Sequence, residues 1–338
     1  MQIETVKKNT PAEPRDQAPN LRGYLWSIAV AWLILVAAGI VYSALRGVAN
    51  RIAIPIIAAF LIEVPLYLAP FFESARAVAA RLARWKFAGL LAATAVLPYL
   101  AYSLPTGCFN ALDFYRLTGL AVCLSFWFLV VPAAIWSDLV FLAAPAAVMI
   151  SRILKQIYWS PLPHEPIYIL GQLMLIHLAA LAILVLRGLK GVNPGLIPTR
   201  REAWIGARTF VFFLPVGFAL VSILHMKMRA APLALWKGVP VFIGIYLVTA
   251  FSEEFGFRGV LQQHLSRVLG IWPGLVVASA LFGLAHLNFR EVFPNWQMVA
   301  LAGPAGLFYG WAYREAGSIR ASMITHALTV VVWTLWLR

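Results

Sequence analysis

Residues 24–45 read YLWSIAVAWLILVAAGIVYSAL, an apolar run without a charged side chain. A helix of that length, rising ~1.5 Å per residue, reaches across the ~30 Å hydrocarbon core of a bilayer. Backbone N–H and C=O groups find no water there, so the segment must satisfy them internally, which a helix does. Similar runs return over about 52–72, 87–105, 115–136, 167–186, 207–225, 239–258, 273–290, 298–314 and 318–337. Residues 138–157 are interrupted by Pro145 and read as an eleventh span or a re-entrant piece. The expected fold is an all-α, polytopic transmembrane helical bundle of ten or eleven spans.

Composition points the same way. The chain of 338 residues is 62% hydrophobic and only 12% charged, where a soluble domain carries about 25% charged residues, and its mean hydropathy is +0.82. The net charge of +14 sits largely in short interruptions, Arg76-Arg81-Arg84-Lys86 and Arg187-Lys190-Arg200-Arg201-Arg208. That is the positive-inside pattern that orients helices, and no polar stretch is large enough to hold a nucleic-acid groove. If the N-terminal tail and the loops at 73–86 and 187–206 all face the cytoplasm, an even number of spans separates those two loops, which favours eleven. A bacterial inner membrane is the expected location. Cys108 and Cys123 make neither a disulfide framework nor a metal knuckle.

Residues 1–22 are polar, with Pro11, Pro14 and Pro19, and are expected to be a disordered tail before an uncleaved first helix. The loop at 188–208, with Gly191, Pro194, Gly195 and Pro198, divides N-terminal helices over 23–206 from a C-terminal membrane region over 207–338.

An ionisable group inside a span costs a few kcal/mol even on the gentler scales, so each needs a reason. Glu63 and His177 lie in spans without a second ionisable neighbour in sequence, and read as packing or kink-related groups. Asp138 and His225 lie near span ends, within reach of water. The segment Thr249-Ala250-Phe251-Ser252-Glu253-Glu254-Phe255-Gly256-Phe257-Arg258-Gly259 differs, because it puts two carboxylates and a guanidinium on one span. Glu254 and Arg258, at i and i+4, meet on one helix face, which leaves Glu253 free. Either a structural ion cluster or a catalytic site fits this motif taken alone. Gly270 marks a helical hairpin tip, with Glu253 seventeen residues before it and His286 sixteen after, so the two stand level. Gln262, Gln263, His264 and Arg267 near that tip suggest that it protrudes into water. His326 follows a second tip at Gly317 and reaches the same stratum. A water held between a Glu and a His there is an activated nucleophile.

The run Glu253-Glu254-x-x-x-Arg258, then Phe282-x-x-x-His286, then His326 after Gly310-x-x-Tyr313-Arg314-x-x-Gly317-Ser318-Ile319, resembles the CAAX protease and bacteriocin-processing (CPBP) enzymes over roughly 240–338. The resemblance implies a catalytic domain at 207–338 and a glutamate-dependent intramembrane endopeptidase without a cofactor, acting on a membrane-embedded or lipidated peptide or protein. It implies that Glu253 with His286 activates water, that Glu254 and Arg258 support them, and that His326 helps bind the oxyanion. The family pattern has an Asn four residues after that last His, where this chain has Val330; Thr329 is a candidate hydroxyl in its place. Two alternatives stay open: a catalytically impaired member acting as a binding or immunity protein, and a hydrolase with zinc on Glu253, His286 and His326, although no HExxH element is present.

Overall fold

The computed structural model describes residues 19–162, 165–226, 235–289 and 292–336, and among them every regular element is helical. The expected tail lies outside the described residues up to residue 18, and Arg22 already opens the first helix. In chain order the helices are α1 (Arg22–Arg46), α2 (Asn50–Leu68), α3 (Glu73–Ala80), α4 (Arg84–Thr106), α5 (Ala111–Val130), α6 (Ile135–Ser151), α7 (Ile153–Ile157), α8 (Ile169–Leu181) and α9 (Arg200–Ile223). There follow α10 (Gly238–Leu269), α11 (Ile271–Leu284), α12 (Trp296–Ala316) and α13 (Ile319–Trp336).

Seven of these helical segments are long and apolar enough to cross a membrane, and α6, α11 and most of α13 are shorter apolar helices. The chain is a multi-pass integral membrane protein. Residues 138–157 are not one span: α6 stops at Ser151, where Arg152 takes a left-handed conformation at φ 59°, and the five-residue α7 follows.

The basic residues of the sequence hold one end of the bundle together. Arg84, at the start of α4, donates to the carbonyls of Phe128 at 2.7 Å, at the end of α5, and of Leu186 at 3.0 Å, at the end of the π-helical segment Ala182–Leu186 that continues α8. Both are carbonyls that a helix terminus leaves without an intrahelical partner. Arg320 at the start of α13 pairs with Glu202 at the start of α9 at 2.7 Å. Arg208 pairs with Glu315 at the end of α12. These contacts set the ends carrying the basic loops at one level, as an orientation with those loops on one membrane side requires.

Several polar residues are placed differently from expectation. Glu63 and His177 are both fully buried, and His177 Nδ1 lies 2.7 Å from Glu63 Oε1. They partner each other across 114 residues of chain, a separation that no local periodicity reveals. Asp138 is not water-accessible either: it is fully buried between Arg187, at 2.8 Å, and His264, at 2.9 Å. His225 is exposed, as expected.

Truncating one member of the first pair leaves the other buried and unsatisfied, at a cost of about 1–3 kcal/mol. Glu63→Ala is therefore expected to lower the thermal midpoint in detergent by several degrees, and the Glu63→Ala/His177→Leu double variant to recover part of it. A double variant as unstable as the sum of its single changes would show that the pair is not coupled.

Candidate active site

The helix α10 carries the paired carboxylates and is not regular. The α-helical turn Phe251–Glu254 lies between wide π-helical segments at Ile245–Ala250 and Phe255–Gln262. Such segments weaken local helix packing and recur at functional sites. Here α2 supports them: the Tyr67 hydroxyl donates to the Leu247 carbonyl, and the Phe71 ring lies 4.2 Å from that of Phe251, two residues before Glu253.

Glu254 and Arg258 pair as their spacing demands, with Nη1 to Oε1 at 3.2 Å and Nε to Oε2 at 3.1 Å. Both are buried, and the guanidinium lies 4.4 Å from the Phe282 ring centre. Arg258 is thus not an anchor at the water interface. Its Nη2 donates to the Gly306 carbonyl at 2.9 Å, and one turn on Gln262 donates to the Gly310 carbonyl at 3.2 Å. Two rungs four residues apart on α10 therefore bond two carbonyls four residues apart on α12. A helix backbone is reachable by such side chains only where its own side chains are absent, and glycine provides that at both positions. A Cβ at Gly306 would stand 3.2 Å from Arg258 Nη2, and one at Gly310 would overlap Leu275 and Gln262. Gly310→Leu is expected to destabilise by about 1–3 kcal/mol or more through overpacking, read as a lower melting temperature; an unchanged melt would mean that the rungs are not needed.

The hairpin tip is at Gly270, with φ 91°. The tip is exposed from Arg267 to Pro273, as expected, whereas further back Gln262 and His264 are buried and Gln263 donates to the Lys190 carbonyl at 2.8 Å. Helix α11 ends at Leu284, so His286 sits in the turn just beyond it, not inside a span. Its Nδ1 lies 2.9 Å from the Phe282 carbonyl, which can only accept, so Nδ1 carries the proton and Nε2 of the neutral ring is bare.

His326 lies between the two carboxylates. Its Nδ1 is 2.8 Å from Glu254 Oε1 and its Nε2 is 3.9 Å from Glu253 Oε2. Glu253 Oε2 is buried and has no hydrogen-bond partner among the described residues. The sequence reading joined Glu253 to His286, whereas the imidazole nearest to it is His326. Because the Glu254 carboxylate accepts from His326 Nδ1–H, His326 offers the cavity a lone pair at Nε2 unless it is doubly protonated, which restricts the expected oxyanion role to the imidazolium.

Glu253, His286 and His326 line one cavity of about 180 Å³. Its walls are otherwise mainly apolar, with Phe213 and Val221 from α9 and Leu301 and Ala305 from α12. Thr329 and Val330 also line it, but the Thr329 hydroxyl donates to the Thr325 carbonyl at 2.8 Å, so its proton is held within its own helix. Among the described residues no group of three His, Cys, Asp or Glu side chains is arranged to hold a metal ion.

Sequence reasoning missed Tyr309, whose ring stacks on His326 at 4.7 Å and 14° and which lines the same cavity. An aromatic residue on an apolar helix reads as core, and only its position one residue before Gly310 hints otherwise.

With this geometry in place, comparison with known proteins is informative. Residues 234–332 match the family model Type II CAAX prenyl endopeptidase Rce1-like. That region holds α10 to most of α13, with the residues of the cavity other than those on α9 and Trp333. Over 102 residues the chain is 28% identical to the uncharacterized protein YpbD of Bacillus subtilis (strain 168), a match that covers 30% of this chain and 48% of that protein. The chain thus spans about half the length of the curated relative it matches. No solved structure matches. The Rce1-like region coincides with the part of the bundle where buried carboxylates and imidazoles meet a cavity.

Proposed function

We propose that this chain is a glutamic-type intramembrane endopeptidase of a bacterial inner membrane, acting on membrane-embedded or lipidated peptides. The observation that carries the reading is the placement of Glu253. Its Oε2 is buried, unpartnered and 3.9 Å from His326 Nε2, while Glu254 and Arg258 hold that imidazole from behind. A substrate water between the two acceptors loses a proton to Glu253 as its oxygen attacks the scissile carbonyl carbon, and the proton then passes to the leaving nitrogen as the C–N bond breaks. The bare Nε2 of His286 on the same cavity wall is an alternative acceptor for one of that water's two protons. The apolar walls suit a substrate that arrives through the bilayer, and the match to a prenyl endopeptidase family supports a peptide as its reactive part. No step needs a metal or a cofactor.

The test is cleavage by the purified chain in nanodiscs, with internally quenched peptides in farnesylated and unlipidated form. Turnover of at least one, unchanged by a chelator, is the expected result; no cleavage of either, or loss on chelation that zinc restores, would overturn it. A second reading, a binding protein that has lost turnover, is favoured by one observation: Val330 lines the cavity at the family's Asn position and offers no donor. Peptide binding without product is its signature.

A further inference from the structure

A second buried polar atom without a partner, besides Glu253 Oε2, belongs to a residue of the cavity lining. That residue is Trp333, whose indole Nε1 is buried with no hydrogen-bond partner among the described residues. Indole nitrogen only donates, and a buried donor without a partner is destabilising until something accepts from it. Three other donors of the lining are held elsewhere, Nδ1–H of His286 by Phe282, Nδ1–H of His326 by Glu254 and the Thr329 hydroxyl by Thr325, and Thr249 is exposed. That leaves Trp333 Nε1–H on α13 as a buried donor for whatever enters, alongside the acceptors Glu253 Oε2 and Nε2 of His286 and of His326.

We propose that Trp333 Nε1–H is a substrate-binding group that donates to a backbone carbonyl of the peptide chain. This deepens the endopeptidase reading and rests on it for the identity of the ligand as a peptide. The spacing supports it. His326, Thr329 and Trp333 stand at i, i+3 and i+7, one stripe of α13, and all three line the cavity. Seven residues of helix are ~10 Å, and an extended chain advances ~3.3 Å per residue, so Trp333 meets the carbonyl about three residues from the bond attacked beside His326. An apolar pocket in a membrane penalises a peptide for every backbone group it leaves unsatisfied. A single donor at this register selects a chain that presents a carbonyl there, and gives no such gain to a hydrocarbon chain.

The experiment separates binding from turnover. [15N]Trp-labelled Glu253→Gln protein in nanodiscs is titrated with an acetylated, amidated Ala/Leu octapeptide and, separately, with hexadecane; the Trp333 indole resonance is assigned from its absence in Trp333→Phe. The peptide is expected to move that resonance downfield and hexadecane to leave it in place. Trp333→Phe, which keeps the aromatic bulk and removes the donor, is expected to weaken peptide binding about five- to tenfold. In the turnover-competent chain it is expected to raise KM by that factor with kcat unchanged. A Trp333 resonance that ignores bound peptide, equal affinities with and without the indole N–H, or no peptide binding at all would overturn the proposal. Peptide binding through Trp333 in a wild-type protein that yields no product would instead leave the proposal standing and sink the hydrolase reading.

Discussion

Glu253→Gln should reduce peptide cleavage by about a hundred- to ten-thousandfold, the usual contribution of a positioned general base. The amide fills the same volume and still accepts a hydrogen bond, so substrate affinity and melting temperature should stay close to those of the unaltered chain. Only the capacity to take up a proton disappears. The neighbouring Glu254→Gln separates the two adjacent carboxylates: Glu254 is buried against Arg258 and His326, and its neutralisation should lower the yield of folded protein as well as activity. Equal cleavage by Glu253→Gln and the unaltered chain would place the base elsewhere.

Arg258→Leu should remove most folded protein from the membrane fraction. The guanidinium is 1% exposed, holds Glu254, and donates to the α12 backbone at Gly306. Breaking a buried ion pair by removing one partner costs about 3–5 kcal/mol, because the surviving charge is left uncompensated. With total stabilities of about 5–15 kcal/mol, that loss leaves little margin. Arg258→Lys retains the charge but cannot reach Glu254 and Gly306 at once, so it should be intermediate. Normal accumulation and an unchanged melt of Arg258→Leu would show that its role lies in turnover alone.

The sequence made some of this legible and hid the rest for physical reasons. Contacts within one helix turn, such as Glu254 with Arg258, follow from helical spacing. The hairpin at Gly270 followed from a stop and restart signal. Partners far apart in sequence have no periodic signature, so Glu63 with His177, Asp138 with His264, and the exchange of His286 for His326 beside Glu253 emerged only from the packing. Beyond the apolar run that ends at 258 the helix continues to Leu269, with Gln262 and His264 buried against neighbours and Arg267 exposed.

The clasp of Asp138 with Arg187 and His264 bears on how this protein could be rebuilt. A graft of residues 234–332 onto another membrane scaffold would carry His264 without its carboxylate, and Leu247 and Phe251 without Tyr67 and Phe71. The segment that aligns with other proteins is not the segment that stands alone. A working chimera must take α2 and α6 with it, and shuffling at the loop between the halves will transplant the residues of the site while leaving behind what holds them in register.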